Sequence, residues 1–143
     1  MVGGQEAGVQ RGYLSESTWD AAAVNRQRDE WVLNTPGLRP NGDGVLAIDE
    51  RGDGKAGHKT AHVGRQYLAN LGKIDNGGVS VSSLWADEQL YYPVDVAPYR
   101  PAAWFERGKA DPAFRTKLKI ALGLVQQAIQ AGGPFRAVVA DNF

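Results

Sequence analysis

The stretch VLAIDERGDGKAGHKTAHVGRQY, Val45 to Tyr67, decides how the rest of the chain is organised. Asn41 to Gly44 ahead of it is turn-forming, and Val45 to Ile48 is a short uninterrupted apolar run of the kind that suits a strand buried on both faces. Asp49 follows directly on that strand. From Gly52 to Gly64 the chain is polar and glycine-punctuated, carrying Lys55, His58, Lys59 and His62, and Arg65 comes next. This predicts a basic surface loop beside Asp49.

Downstream, Val79, Val81 and Leu84, then Leu90, Tyr92 and Val94, make two β-rich runs, and Trp85 to Glu88 supplies the connection of a hairpin. Pro93, Pro98 and Pro101 forbid regular structure soon afterwards. Phe114, Leu118, Ala121, Val125 and Ile129 then recur at helical spacing until Gly132 and Gly133, which predicts an amphipathic helix packed through those residues. Phe135 to Ala140 is a second short apolar strand, Arg136 apart, and it ends in Asp141.

Upstream, Ser17 or Thr18 is placed to cap a helix carrying Trp19, Ala22, Ala23, Val24, Trp31 and Val32, which Pro36 and Gly37 stop. Residues 1–16, with four glycines and little to bury, are expected to form a flexible leader. The expected division is therefore a leader (1–16), a leading helix and linker (17–40) and one catalytic-type domain (41–143).

Composition fits that scale. The 143 residues, 43% hydrophobic and 22% charged, have room for one packed core. Sixteen basic residues balance sixteen acidic ones, so no global field draws the chain to nucleic acid and any such contact must come from local basic patches. With no cysteine there is no disulfide, thiolate zinc site or cysteine nucleophile. No stretch approaches the roughly 18 apolar residues of a membrane span, so the expected location is the cytoplasm, without a membrane partner.

The chemistry lies in the two aspartates. Val45 to Ile48 and Ala137 to Ala140 each deliver one at the C-terminal end, 92 residues apart (141 − 49). If the strands are sheet neighbours, the carboxylates meet. Adjacent carboxylates repel, and a divalent cation between them relieves that repulsion, so such a pair is a natural seat for magnesium or manganese. In two-metal phosphoryl transfer such ions activate the attacking oxygen and stabilise the leaving one. The plainer alternative is that both aspartates only mark strand ends. His58 and His62 stand four apart, but no acidic or cysteine partner lies at ligand spacing.

The Val45 to Tyr67 stretch closely resembles the first catalytic block of insertion-sequence transposases with a DDE endonuclease domain. The resemblance continues, in the family's order, through GKIDNGGVSVSSLWADEQLYYP (Gly72 to Pro93), FRTKLKIALGLV (Phe114 to Val125) and PFRAVVADNF (Pro134 to Phe143). It covers roughly 100 residues, which makes it far more specific than a single short motif.

That likeness implies an RNase H-like α/β fold: a mixed sheet flanked by helices, with a three-stranded antiparallel start, a helix and a parallel strand. It implies that Asp49 and Asp141 are the first two catalytic, metal-binding carboxylates for magnesium or manganese. The family's third ligand, a glutamate on a later helix, has no counterpart here, so the fold is expected to be incomplete and the chain inactive alone. Glu50 points away from Asp49 if the strand continues.

The implied partner is DNA at transposon ends, with full-length transposase or a second copy of this chain as protein partners. Lys55, Lys59, Arg65, Arg115, Lys117 and Lys119 are the candidate phosphate contacts, the alternative being a solvated charged face. Other functional readings are a non-catalytic modulator and the decayed remnant of a mobile element. Trp19, Trp31, Trp85 and Trp104 suit base stacking, but most are expected in the core. Asn142 and Phe143 are candidates to orient the site and pack beneath it.

Overall fold

The computed structural model describes residues 17–141; the expected leader and the readings of Asn142 and Phe143 fall outside them. Helix α1 spans Ala21–Asn34, and strands β1 (Val45–Gly54), β2 (Gly64–Leu68), β3 (Lys73–Ala86) and β4 (Tyr91–Tyr99) follow. Helix α2 (Lys117–Gln130) then leads to β5 (Ala137–Ala140). No described helix is long and apolar enough to cross a membrane.

The long strand β3 organises a five-stranded mixed sheet. It pairs antiparallel with β1 from Gly77 to Ala86, with β2 from Lys73 to Gly77, and with β4 from Val79 to Ala86. On the far side of β1, β5 pairs in parallel, Val45 with Ala137 through Ile48 with Ala140. The antiparallel start, helix and parallel strand thus occur in the expected order.

Period-2 alternation sorts the sheet into two faces. Leu46 and Ile48 of β1 and Val81 of β3 point to one side, where Ile120, Ala121, Leu124 and Ala128 of α2 close over them. Helix α1 lies on the same side: Val32 and Leu33 meet Leu46, Trp85 and Val94 there. Both helices therefore cover one face, and no described helix covers the other. Val138 and Val139 of β5 remain 45% and 54% exposed.

Trp85 anchors the covered side. It is 2% exposed, its Nε1 donates to Pro134 O at 2.9 Å, and its indole stacks on Tyr92 at 5.3 Å. Gly44 must be glycine because a Cβ there would lie 2.3 Å from Trp85 Cζ2, and a ring pinned on three sides has nowhere to move.

Tyr92 pays for that position in proton affinity. Burial, together with Asp29 and Asp87, pushes its hydroxyl up to about 12 from an ordinary 10.0. Below pH 10 the folded and unfolded chains both keep this proton. Between 10 and 12 the unfolded chain releases it while the folded chain holds it, so stability falls as pH rises through that window. Urea midpoints measured from pH 9 to 11.5 should decline less steeply in Tyr92→Phe than in the parent chain.

Several local expectations change. The cap of α1 is Asp20, whose Oδ1 accepts from Ala23 N at 2.9 Å, and not Ser17 or Thr18. β1 does not end at Ile48 but runs to Gly54, so Asp49 is mid-strand, held by the β3 ladder. The basic loop is correspondingly shorter, and Arg65 lies on β2. The hairpin turn is Asp87 to Leu90 and not Trp85 to Glu88: the Asp87 carboxylate accepts from Leu90 N and Gln89 N, which holds its pKa below the ordinary value. β4 keeps its pairing despite Pro93 and Pro98 because Val94 bulges out of register, and the freed Val94 carbonyl accepts from Arg28 of α1.

α2 turns a partly different face to the sheet than expected: Ala121 is buried and Val125 packs against the core as expected, but the rest of the stripe is shifted. Leu118 and Ile129 are 66% and 60% exposed, and Ile120, Leu124 and Ala128 are buried in their place. Of the four tryptophans only Trp85 is core; Trp19, Trp31 and Trp104 are 50%, 63% and 38% exposed. A single sheet face offers too little cover for all of these groups.

Candidate active site

The parallel ladder between β1 and β5 ends at the pair Ile48 and Ala140, and the next residue on each strand is an aspartate. Neighbouring strands run about 4.8 Å apart, so this register sets Asp49 and Asp141 side by side. Both are exposed. Asp49 alternates with Ile48 and so projects from the face that α1 and α2 leave uncovered.

On the other flank of Asp49 stands Ser82 of β3, its direct antiparallel partner, whose Oγ donates to Asp49 O at 3.4 Å. Ser82 and Asp49 thus stand side by side on the uncovered face, and Asp141 follows one residue past the end of the parallel ladder. Arg51 and Asp53 continue along β1 on the same face, both exposed. Sequence reasoning missed Arg51 because it ended the strand at Ile48; the signal was the alternation continuing through Asp49 and Glu50.

Glu50 does point the other way. Its Oε2 meets Lys117 Nζ at 2.7 Å beside α2, with side-chain exposures of 12% and 22% for Glu50 and Lys117. The contact is a charge pair off hydrogen-bond alignment, and Glu50 Oε2 has no other hydrogen-bond partner. Lys117 also lies 5.7 Å from the Tyr99 ring. Its ammonium is therefore engaged inside the protein on the face opposite Asp49.

The remaining basic candidates are exposed and dispersed. Lys55 and Lys59 lie in the β1–β2 loop, Arg65 on β2, Arg115 just before α2 and Lys119 in its first turn, where Thr116 Oγ1 caps its backbone N–H at 3.2 Å. His58 is exposed and His62 half-buried in the loop. No group of three histidine, cysteine or acidic residues gathers among the described residues.

The arrangement can hold a divalent cation by two carboxylates. Magnesium commonly takes one or two protein carboxylates and fills its remaining positions with water and phosphate oxygens, so Asp49 and Asp141 suit that donor set.

The family model described as DDE superfamily endonuclease matches residues 1–143. A protein of Microchaete diplosiphon described as a probable transposase for insertion sequence element IS701 is 38% identical over 130 residues, which cover 91% of this chain and 33% of that protein. The chain thus spans about a third of the length of this curated relative. No solved structure matches. Matched along its whole length, the chain belongs to the DDE superfamily of endonucleases.

Proposed function

We propose that this chain carries the first two catalytic carboxylates, Asp49 and Asp141, of a transposase that cuts and joins DNA by metal-dependent phosphoryl transfer in the cytoplasm. The observation that supports it most is the β1–β5 register, whose last pair, Ile48 and Ala140, is followed on each side by an aspartate. In this reading residues 17–40 are a leading helix and linker docked on β4, and residues 41–143 are the front of the endonuclease domain.

Asp49 and Asp141 would hold magnesium or manganese, which supplies charge neutralisation at a reacting phosphate. The chain's own part is positional. The β1–β3 and β1–β5 ladders fix both carboxylates, and Arg51 beside Asp49 offers a guanidinium to a phosphate oxygen. Lys55, Lys59, Arg65, Arg115 and Lys119 would position the DNA backbone. With its ammonium held by Glu50, Lys117 serves the fold. Two carboxylates leave the cation positions for water, phosphate oxygens and a further acidic ligand.

A second reading, a module that binds DNA or a full-length transposase without cutting, is favoured by the exposure of those basic side chains. Isothermal titration of magnesium and manganese tests the first. The native chain should bind, and the Asp49→Ala, Asp141→Ala double variant should not. Equal heats from both, or none from the native chain, would overturn the metal site and leave the binding module.

A further inference from the structure

Beyond the acidic pair, a second feature has the chemistry of a ligand site. Between the end of β4, the turn-rich segment 101–115 and the start of α2 lies an open recess of about 230 Å³. Every ionisable side chain lining it is basic: His62, Arg100 and Arg115.

The basic groups are held in place. The Arg100 guanidinium lies 4.4 Å from the Phe105 ring centroid, and its Nη2 donates to Trp104 O at 2.7 Å. Phe105 is braced by Phe114 at 5.7 Å, edge to face. Trp104 Nε1 donates to Val63 O at 2.8 Å, tying the β1–β2 loop to this segment. His62, with its backbone in the left-handed region at φ 65°, sits against the edge of Trp104 at 6.2 Å. Arg115 is exposed at the rim. A guanidinium set over an aromatic ring keeps N–H groups for a ligand, and guanidinium planes take bases by stacking and phosphates by bidentate bonds.

The recess lies on the α2 side of the sheet, the face opposite Asp49. Ala97, in its wall, pairs with Val81, which pairs with Glu50, one step along β1 from Asp49. Two strand spacings, about 10 Å, separate β4 from β1.

We propose that this recess binds one nucleotide unit of a single DNA strand, its phosphate against Arg115 and Arg100 and its base on the Arg100 plane. The inference rests on the DNA-binding reading above and assigns Arg100 and His62 to it. The test is anisotropy of a labelled single-stranded oligothymidylate with the native chain, Arg115→Met, Arg100→Met and, as a control for phosphate contacts outside the recess that should also weaken binding, a Lys55→Met, Lys59→Met variant. Inorganic phosphate serves as competitor, and each variant's melting temperature is measured.

We expect roughly 10-fold weaker binding in each arginine variant. The log–log salt dependence should be shallower by about 0.7 per contact removed. Trp104 emission should change when the oligonucleotide binds, and that change should vanish in Trp104→Phe. If Arg100→Met melts early, Arg115→Met and the Trp104 signal still decide the matter. Native affinity in Arg115→Met with loss in the lysine control would overturn the recess and keep DNA binding; no binding by the native chain would overturn both. Phosphate competing as well, mole for mole, as the oligonucleotide would overturn the assignment to a strand.

Discussion

Trp85→Ala should lower the unfolding free energy by about 3–5 kcal/mol, the range for emptying a large aromatic from a closed core. The indole is 2% exposed, stacks on Tyr92, lies under Gly44 and donates to Pro134 O. Its removal opens a void that none of these neighbours can fill: Gly44 has no side chain, and Tyr92 is fixed in β4. It also leaves the Pro134 carbonyl without its donor. Domains of this size have about 5–15 kcal/mol in all, so the loss removes a large part of the total. Urea denaturation followed by circular dichroism should show the midpoint falling with little change in slope. A loss below about 1 kcal/mol would mean that Trp85 does not hold α1, the sheet and the approach to β5 together.

The second large effect is at Lys117. Replacing it with methionine keeps the stem but leaves the Glu50 carboxylate beside α2 at 12% side-chain exposure with no cation. Removing one partner of a buried pair costs about 3–5 kcal/mol. Because Lys117 is 22% exposed, some water reaches the site, and about 2–3 kcal/mol is expected. Glu50→Gln should cost less, since the ammonium it leaves unpaired is the more exposed of the two, and the Glu50→Gln, Lys117→Met double variant should be more stable than Lys117→Met alone. A double-mutant cycle measures this coupling. Additive losses would mean that the two charges do not interact in solution. The experiment also separates the neighbouring acids: Glu50 variants should alter stability, and Asp49 variants should alter metal binding.

Much of this was legible in the residues. Apolar runs ending in aspartate marked β1 and β5, and their shared character suggested adjacency, which the parallel register bears out. The alternation that turns Glu50 from Asp49 was equally plain. β2 was not legible, because Gly64 to Leu68 alternates weakly and forms only by pairing with the polar start of β3, Lys73 to Gly77. The face of α2 was ambiguous for a different reason. Leu118, Leu122 and Ile129 make one apolar stripe and Ile120, Leu124 and Ala128 another, so pattern alone cannot choose. The sheet chose the second. Arg100 gave no signal, since its value depends on Phe105 and Trp104 folding back beneath it.

The order in which the strands pair has a consequence for how the protein reaches this state. β3 and β4 are joined by a four-residue turn from Asp87 to Leu90 and can zip locally. β5 must close a far longer loop to reach β1, because Ile48 and Ala140 are 92 residues apart along the chain, and it is expected to pair late. Closing so long a loop is the slow, entropy-limited step of a mixed sheet. Asp49 and Asp141 therefore become neighbours at the end of folding, and a partly folded chain carries both carboxylates without yet having a place for a cation.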